Sequence, residues 1–219
     1  SRVKGVYSEI NALLAGTADA EIKAKYAEVL SQLPAMKELY GHRARLRKER
    51  GCMDIESGEV KLILDENGRC IDVKKRTSGE SESMIEEFML LANRKVAEFV
   101  GRKRKGVQNS DRTFVYRIHD KPNTDKMAQF RSFVTRFGYQ MKAQGNKAVA
   151  KEINRLMKKI HGRKEENIIS TLAIRSMAKA TYSTDNIGHY GLAFDYYTHF
   201  TSPIRRYPDM MVHRLLAHY

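Results

Sequence analysis

Two short strand-like runs flank Asn67-Gly68 in EVKLILDENGRCIDVKKR, and helical patterns lie on both sides of them. An Asn-Gly pair between alternating apolar residues is a strong signal for a two-stranded hairpin. Upstream, apolar residues recur at helical spacing from Tyr7 to Ala15 and from Asp19 to Arg50, and Pro34 is expected to kink or break the second helix. This switch of period restricts the chain to a fold that mixes α and β elements.

Helical patterns return after the hairpin, with Ser81 or Ser83 as the predicted N-cap of a buried helix in MIEEFMLLANRKVAEFV. The segment RTFVYRIHD predicts one isolated strand. Three further helices are predicted, in NTDKMAQFRSFVTRFG up to Gly138, near Asn146–Ile160 and near Glu165–Ala180. The order predicts a mixed α+β fold that is mostly helical, with too few strands for a closed sheet of its own.

The charge of the chain points to a polyanionic partner. Its 219 residues suit one large domain or one and a half, and the formal net charge is +14. A protein this basic is expected to meet either nucleic acid or an anionic membrane surface.

Several other classes of protein are disfavoured. No apolar run approaches the roughly 20 residues of a membrane span, and the N-terminal segment is too polar for a signal peptide. Cys52 and Cys70 are 18 residues apart without a CxxC pattern, so a structural zinc site is not expected. A reduced, cytoplasmic setting is the expectation.

The segment TSPIRRYPD, Thr201 to Asp209, places two arginines between two prolines. Either Ser202 caps a helix that begins at Pro203, or Tyr207 and Pro208 begin one. In both cases the arginines lie near a helix N-terminus, where free N–H groups and guanidinium groups favour a bound phosphate. The residues alone therefore predict a phosphate or nucleic-acid site.

Aromatic residues and histidines crowd around this segment, Tyr190 among them. Two fates remain open for the aromatic rings, which either stack on bases or pack inward as core. Each histidine is more often a packed or hydrogen-bonded side chain than a catalytic one.

The segment NIGHYGLAFDYYTHFTSPIRRYPDMMVHRLL resembles the signature of the ribonuclease II and ribonuclease R family, and the bacterial ribonuclease R type in particular. ERGCMDIESGEVKLIL, MIEEFMLLANRKVAEFV and FVYRIHDKPNTDKM agree in the same order. The resemblance covers nearly the whole chain. It implies a processive 3′-to-5′ exoribonuclease that hydrolyses single-stranded RNA to nucleoside 5′-monophosphates, with Mg²⁺ held by clustered aspartates.

The aspartate cluster of that family has no counterpart in this sequence. No three of the ten aspartates lie within about a dozen residues of one another. The resemblance therefore implies that residues 1–219 are the C-terminal portion of the catalytic RNB domain. By the same resemblance, the metal ligands, the first half of the domain and the flanking OB-type RNA-binding domains lie outside this chain, and strands of that first half would complete the sheet.

The resemblance also implies roles for single residues. Arg205 occupies the position that carries the catalytic arginine on the scissile phosphate, where a guanidinium offsets developing negative charge. Arg206 either contacts RNA or fixes the loop through an acidic partner, for which Asp209 is the candidate; a purely structural role of Asp209 at a helix N-terminus is the alternative. His199, Thr201 and Ser202 are expected to line the RNA site.

A departure from the family pattern lies after ERG. The family commonly has a phenylalanine there that stacks on the terminal bases, and ungapped alignment puts Ile55 at that position. Either isoleucine presses on a base without a π surface, or the alignment is shifted and another aromatic residue takes this role.

Two basic runs, HRARLRKER and GRKRKG, either line an RNA path or are solvated faces.

Two other functions remain open: a non-catalytic single-stranded RNA-binding module or inactive truncation product, and a membrane-surface or partner-binding protein. The second explains the charge and none of the motifs.

Overall fold

The computed structural model describes residues 3–53, 55, 60–75, 78–102, 112–142 and 145–219. The described residues form mostly helices with two small antiparallel sheets. In chain order the elements are α1 Tyr7–Ala15, α2 Ala20–Lys25, α3 Ala27–Leu30, α4 Leu33–Arg50, β1 Val60–Leu64, β2 Cys70–Lys75, α5 Glu80–Gly101, β3 Tyr116–Ile118, α6 Thr124–Thr135, α7 Asn146–Ile160, α8 Glu166–Ser176, β4 Thr181–Ser183 and α9 Tyr207–His218. The predicted mostly helical α+β fold is confirmed.

The chain divides into two compact units. The first comprises Ser1–Leu46 and Ser57–Phe88, and the second comprises Arg47–Glu56 and Met89–Tyr219.

In the first unit, the helical pattern from Asp19 to Arg50 divides into α2, α3 and α4. Pro34 is the second residue of α4, where its missing N–H costs no helical hydrogen bond. The pattern breaks at residues 31–32, directly before Pro34, so the predicted break at the proline is confirmed. A further interruption at Tyr26 was not predicted. Tyr26 is 1 % exposed, and its hydroxyl accepts a hydrogen bond from Val6 N at 3.0 Å. The interruption at this buried ring lies eight residues before the proline and is separate from the break at Pro34.

The hairpin forms where the sequence predicts it. Strands β1 and β2 pair with Leu62 opposite Val73. Gly68 has a φ of 77°, which glycine adopts at little cost. Asp65 Oδ1 accepts hydrogen bonds from Asn67 N and Arg69 N at 2.9 and 2.8 Å, so the turn is closed by its own residues.

The predicted cap of α5 is wrong. The helix begins at Glu80, ahead of both serines, and Ser81 N donates instead to Asn11 Oδ1 at 2.8 Å. A side chain from α1 thus takes the capping role. The helix is also not buried all round, because Phe99 is 51 % exposed.

The sequence predicted that the strand in RTFVYRIHD is isolated, and this prediction is wrong. The strand is the three-residue β3. It pairs antiparallel with β4, with Arg117 opposite Tyr182. Three residues are too few to show an alternating pattern, so β4 was not foreseen.

The second unit contains two clusters of buried apolar residues. Helices α6, α7 and α8 enclose one, centred on Phe130, Val134, Ile153 and Ile169. The other joins α5, β3 and α9 through Ala97, Val100, Phe114, Tyr116 and Val212. This second cluster positions the start of α9, and with it the segment that carries the two arginines.

Of the two predicted helix starts in TSPIRRYPD, the second is confirmed. Helix α9 begins at Tyr207, with Pro208 in its first turn. Ser202 and Pro203 belong to a turn instead.

Candidate nucleic-acid interface

Residues 200–206, which we call the Arg205 loop, enter α9 through a tight turn. Arg205 N and Arg206 N both donate to Ser202 O, at 3.3 and 3.1 Å. The turn exposes its tip: Ile204 is 98 % exposed, Tyr207 is 63 % exposed, and Arg205 between them is exposed as well. A guanidinium group is thereby presented to solvent from a backbone fixed by hydrogen bonds.

Asp209 holds the C-terminal end of the loop. Its side chain is fully buried in the first turn of α9. Oδ1 accepts hydrogen bonds from Ser202 N and from Arg206 Nη2, both at 2.8 Å. Asp209 is therefore the acidic partner of Arg206 that the sequence suggested.

Asn93, a buried residue of α5, holds the N-terminal end. Its Oδ1 accepts hydrogen bonds from Phe200 N at 3.0 Å and from Thr201 N at 3.2 Å. Its Nδ2 donates to the Tyr197 hydroxyl at 3.2 Å. One amide side chain thus satisfies two backbone N–H groups at the start of the loop.

His199 adjoins the loop and pairs with Tyr182 of β4. The Tyr182 hydroxyl and His199 Nδ1 are 2.7 Å apart, and Arg117 lies 4.6 Å from the centroid of the Tyr182 ring. Burial, followed by the positive charge of Arg206 and then of Arg117 and Arg205, lowers the pKa of His199 to about 4. At neutral pH this imidazole is therefore uncharged, and the arginines carry the positive charge of the site.

Further imidazoles lie behind His199. The ring of His189 contacts those of His119 and Tyr197 edge-on, at centroid distances of 5.0 and 5.3 Å. Burial and the neighbouring His119 lower the pKa of His189 to about 3. Tyr190 belongs to the 3₁₀ turn Tyr190–Leu192 and is half-buried.

A cavity of about 620 Å³ opens beside these rings. Its lining includes Arg50, Arg94, His119, His189, Tyr190 and Phe194. Several polar groups that line the cavity already form hydrogen bonds within the protein. Arg94 donates to Glu98 at 2.6 Å. The two ring nitrogens of His119 contact Ala178 O and Gly191 N at 2.9 and 3.0 Å.

The structure brings together five of the residues that the sequence singled out: His199, Thr201, Ser202, Arg205 and Arg206. The other two lie elsewhere in the second unit. Tyr190 lines the cavity. Ile55 is half-buried and packs against the α6–α8 cluster, and its contact with RNA stays a prediction.

Asn93, Tyr182 and Arg117 were missed by sequence reasoning. Asn93 carried a usable signal, because it is a polar residue within the apolar run FMLLAN of a helix expected to be buried. Tyr182 and Arg117 carried none, because their positions depend on the pairing of two three-residue strands.

The described residues do not fit a magnesium site of their own. No group of three or more His, Cys, Asp or Glu side chains among them is placed to hold a metal ion. What the arrangement offers is an exposed Arg205 guanidinium, suited to binding phosphate, on a turn that is fixed by hydrogen bonds.

The run HRARLRKER lies in α4, whereas most of GRKRKG falls outside the described residues. In the part of the chain that the structure describes, no helix has the length and apolar content needed to cross a membrane.

Comparison with known proteins gives one consistent family. The model of the RNB domain matches residues 1–219. Ribonuclease R 1 of Lactococcus lactis is 41 % identical over 210 residues, which are 96 % of this chain and 25 % of the relative. The chain thus spans about a quarter of the length of the curated relatives it matches.

Comparison with solved structures also finds an RNase R. RNase R of Mycoplasma genitalium, in complex with ribose-methylated single-stranded RNA, superposes with a TM-score of 0.81 at 28 % identity, over 96 % of this chain and 31 % of that one. Yeast Ssd1, described as a pseudonuclease, superposes with a TM-score of 0.58 at 25 % identity, over 88 % of this chain and 24 % of that one.

Proposed function

This chain belongs to the RNB domain family, and we propose on that basis that it is the C-terminal, phosphate-binding portion of the catalytic domain of an exoribonuclease. The single observation that carries the proposal is the Arg205 loop, an exposed guanidinium on a turn fixed at both ends by buried side chains. The similarity to an RNase R bound to single-stranded RNA supports the choice of substrate.

In this proposal the intact protein hydrolyses single-stranded RNA processively from its 3′ end and releases nucleoside 5′-monophosphates. Mg²⁺, bound by aspartates outside this chain, supplies charge neutralisation and an activated water when it is present. Flanking OB-type domains of the same polypeptide add RNA contacts. The support for placing these parts elsewhere is the fraction of the relatives' length that this chain spans.

Within the site, Arg205 neutralises charge that develops on the scissile phosphate. Its neighbour Arg206 is engaged with the buried Asp209 and holds the turn in shape. His199 remains uncharged beside the arginines, so it adds a hydrogen-bonding group without adding charge. Thr201 and Ser202 contribute backbone already fixed by Asn93 and Asp209.

The test is Arg205→Ala in the full-length polypeptide that contains this chain, supplied with Mg²⁺ and a labelled single-stranded RNA. Turnover should fall about 100-fold, because one electrostatic contact made mainly in the transition state is worth that much, whereas RNA affinity should fall less than about tenfold. Arg136→Ala removes the same charge from an exposed position directly after the end of α6 and should change neither quantity. An equal loss of turnover and affinity in Arg205→Ala would contradict the catalytic role.

A second candidate function is a non-catalytic module that binds single-stranded RNA. The likeness to the pseudonuclease Ssd1 favours it. It predicts RNA binding that weakens with salt, with a log–log slope of about −0.7 per phosphate contact. The full-length polypeptide would then release no nucleotide at any Mg²⁺ concentration, whereas release of nucleoside 5′-monophosphates would exclude this candidate.

A further inference from the structure

Asn93 is a buried polar residue on α5, a helix that also contributes apolar side chains to the core of the second unit. It is 4 % exposed, and on the same helix Ala97 and Val100 belong to the apolar cluster that also includes Val212 of α9. A buried amide is costly unless its donors and acceptors are hydrogen-bonded. Asn93 meets that requirement through backbone groups of the Arg205 loop and the hydroxyl of Tyr197.

The contacts of Asn93 fix the backbone rather than a side chain of the loop. Phe200 N and Thr201 N converge on the same oxygen, so the peptide plane between these two residues has a defined direction. On the opposite side, Phe200 O contacts His213 Nε2 at 3.0 Å, and the rings of Phe200 and His213 stack at 4.2 Å. The backbone that enters the loop is therefore held from α5 and from α9.

Asp209 and Asn93, the two buried residues that hold the loop, differ in how directly they can affect the position of Arg205. Asp209 acts directly on Arg206 and Ser202, next to the guanidinium that meets the phosphate. Asn93 contacts neither arginine among its described hydrogen bonds, and its contacts lie four and five residues before Arg205. Any effect of Asn93 on RNA must then pass through the conformation of the loop.

We propose that Asn93 is a positioning residue that holds the Arg205 loop in its RNA-binding conformation through the two backbone N–H groups of Phe200 and Thr201. The inference rests on the proposed function, because it assigns Asn93 to the same phosphate site. Loss of the amide oxygen leaves two N–H groups without their acceptor, and the loop then gains conformations in which Arg205 is misplaced.

The experiment compares Asn93→Leu with Asn93→Asp, two variants of similar size, in the full-length polypeptide. Leucine removes the acceptor, so turnover of a labelled single-stranded oligouridylate should fall about tenfold, which is less than the loss of about 100-fold expected from Arg205→Ala. Aspartate keeps an oxygen acceptor for both N–H groups, and the Tyr197 hydroxyl can rotate to donate to it, so turnover should stay within about threefold of the native value. An equal loss of turnover in both variants would overturn the proposal.

A double-mutant cycle separates positioning from general destabilisation. If Asn93 acts through Arg205, Asn93→Leu should change turnover by less than about twofold once Arg205→Ala is present. A full tenfold loss in that background would show that Asn93 acts by another route and would overturn the proposal. Ile169→Ala, a core substitution in the separate α6–α8 cluster, should lower thermal stability while turnover stays unchanged.

Amide hydrogen exchange keeps the inference testable if the proposed function fails. Asn93→Leu should raise the exchange rates of the Phe200 and Thr201 amides selectively, and Asn93→Asp should leave them protected. Uniform acceleration across the second unit would mean that Asn93 only stabilises the fold, which would overturn the positioning role. If Arg205→Ala does not lower turnover while the exchange pattern is as expected, the proposed function is wrong and the role of Asn93 in holding the loop is retained.

Discussion

The Arg205 loop and the turn between β1 and β2 are both short segments that reverse the chain, yet they are held in opposite ways. The hairpin turn is closed by Asp65, whose side chain accepts hydrogen bonds from residues two and four positions ahead. The Arg205 loop is anchored by Asn93, which lies 107 residues before Phe200. One is shaped by its own sequence and the other by a distant helix.

Their exposed surfaces differ as well. The hairpin exposes apolar side chains of both strands; among the side chains that the structure describes, those more than half exposed are Leu62, Leu64, Ile71 and Val73. The Arg205 loop exposes the Arg205 guanidinium, and its backbone is fixed by the buried side chains of Asn93 and Asp209. A locally closed turn can tolerate changes around it, whereas a loop that depends on buried tertiary contacts should lose its shape when one contact is removed.

The largest effect is expected from Asp209→Ala. The substitution leaves Ser202 N without its acceptor and Arg206 without its carboxylate, so we expect a loss of about 3 kcal/mol in the free energy of unfolding. Urea denaturation followed by circular dichroism measures this loss. Asp209→Asn keeps an oxygen acceptor and should cost less. A loss below about 1 kcal/mol for Asp209→Ala, within the range of ordinary point mutations, would show that the loop is not held in the way we describe.

A smaller effect should follow acidification, through His199 and His189. Their pKa values are about 4 and about 3 in the folded protein, below the ordinary histidine value of 6.5, so below pH 6.5 the unfolded chain binds protons that the folded chain does not. Stability is therefore full above pH 6.5 and falls as the pH drops toward 4. Because these side chains are only partly buried, we expect a loss of about 1 kcal/mol between pH 7 and pH 5.

Urea denaturation at pH 7, 6 and 5 tests this dependence. The carboxyl groups that bear lowered pKa values, such as that of Glu98, stay ionised over this interval and contribute little to it. His199→Gln should flatten part of the curve. A stability that is constant from pH 7 to pH 5 would contradict the expectation.

The smallest effects should come from the hairpin. Gly68 has a φ of 77° with open space where a Cβ would lie, so Gly68→Ala meets only backbone strain and should cost about 1 kcal/mol or less. Val73→Thr, on an exposed strand position, should change the free energy of unfolding by less than about 0.5 kcal/mol. Urea denaturation of both variants checks this. A loss for Val73→Thr as large as that for Asp209→Ala would remove the contrast between the two segments.

The elements that sequence analysis placed correctly are those with local causes. Helix α1 ends at Ala15 before Gly16 with a φ of 75°, and α6 begins after Asn123, which accepts hydrogen bonds from Asp125 N and Lys126 N. The prediction failed where a distant residue intervenes. Asn11 caps α5, the buried ring of Tyr26 divides the long helical pattern, and β4 exists because β3 lies beside it.

The same division holds for the candidate site. The sequence alone determined the cluster of residues from His199 to Asp209, because prolines, arginines and a helix start are adjacent in the chain and their chemistry can be read in order. Only the tertiary structure decided that Asn93 and Tyr182 belong with them, and that His199 is uncharged. Those properties depend on burial and on hydrogen bonds between residues up to 108 positions apart, which no local pattern contains.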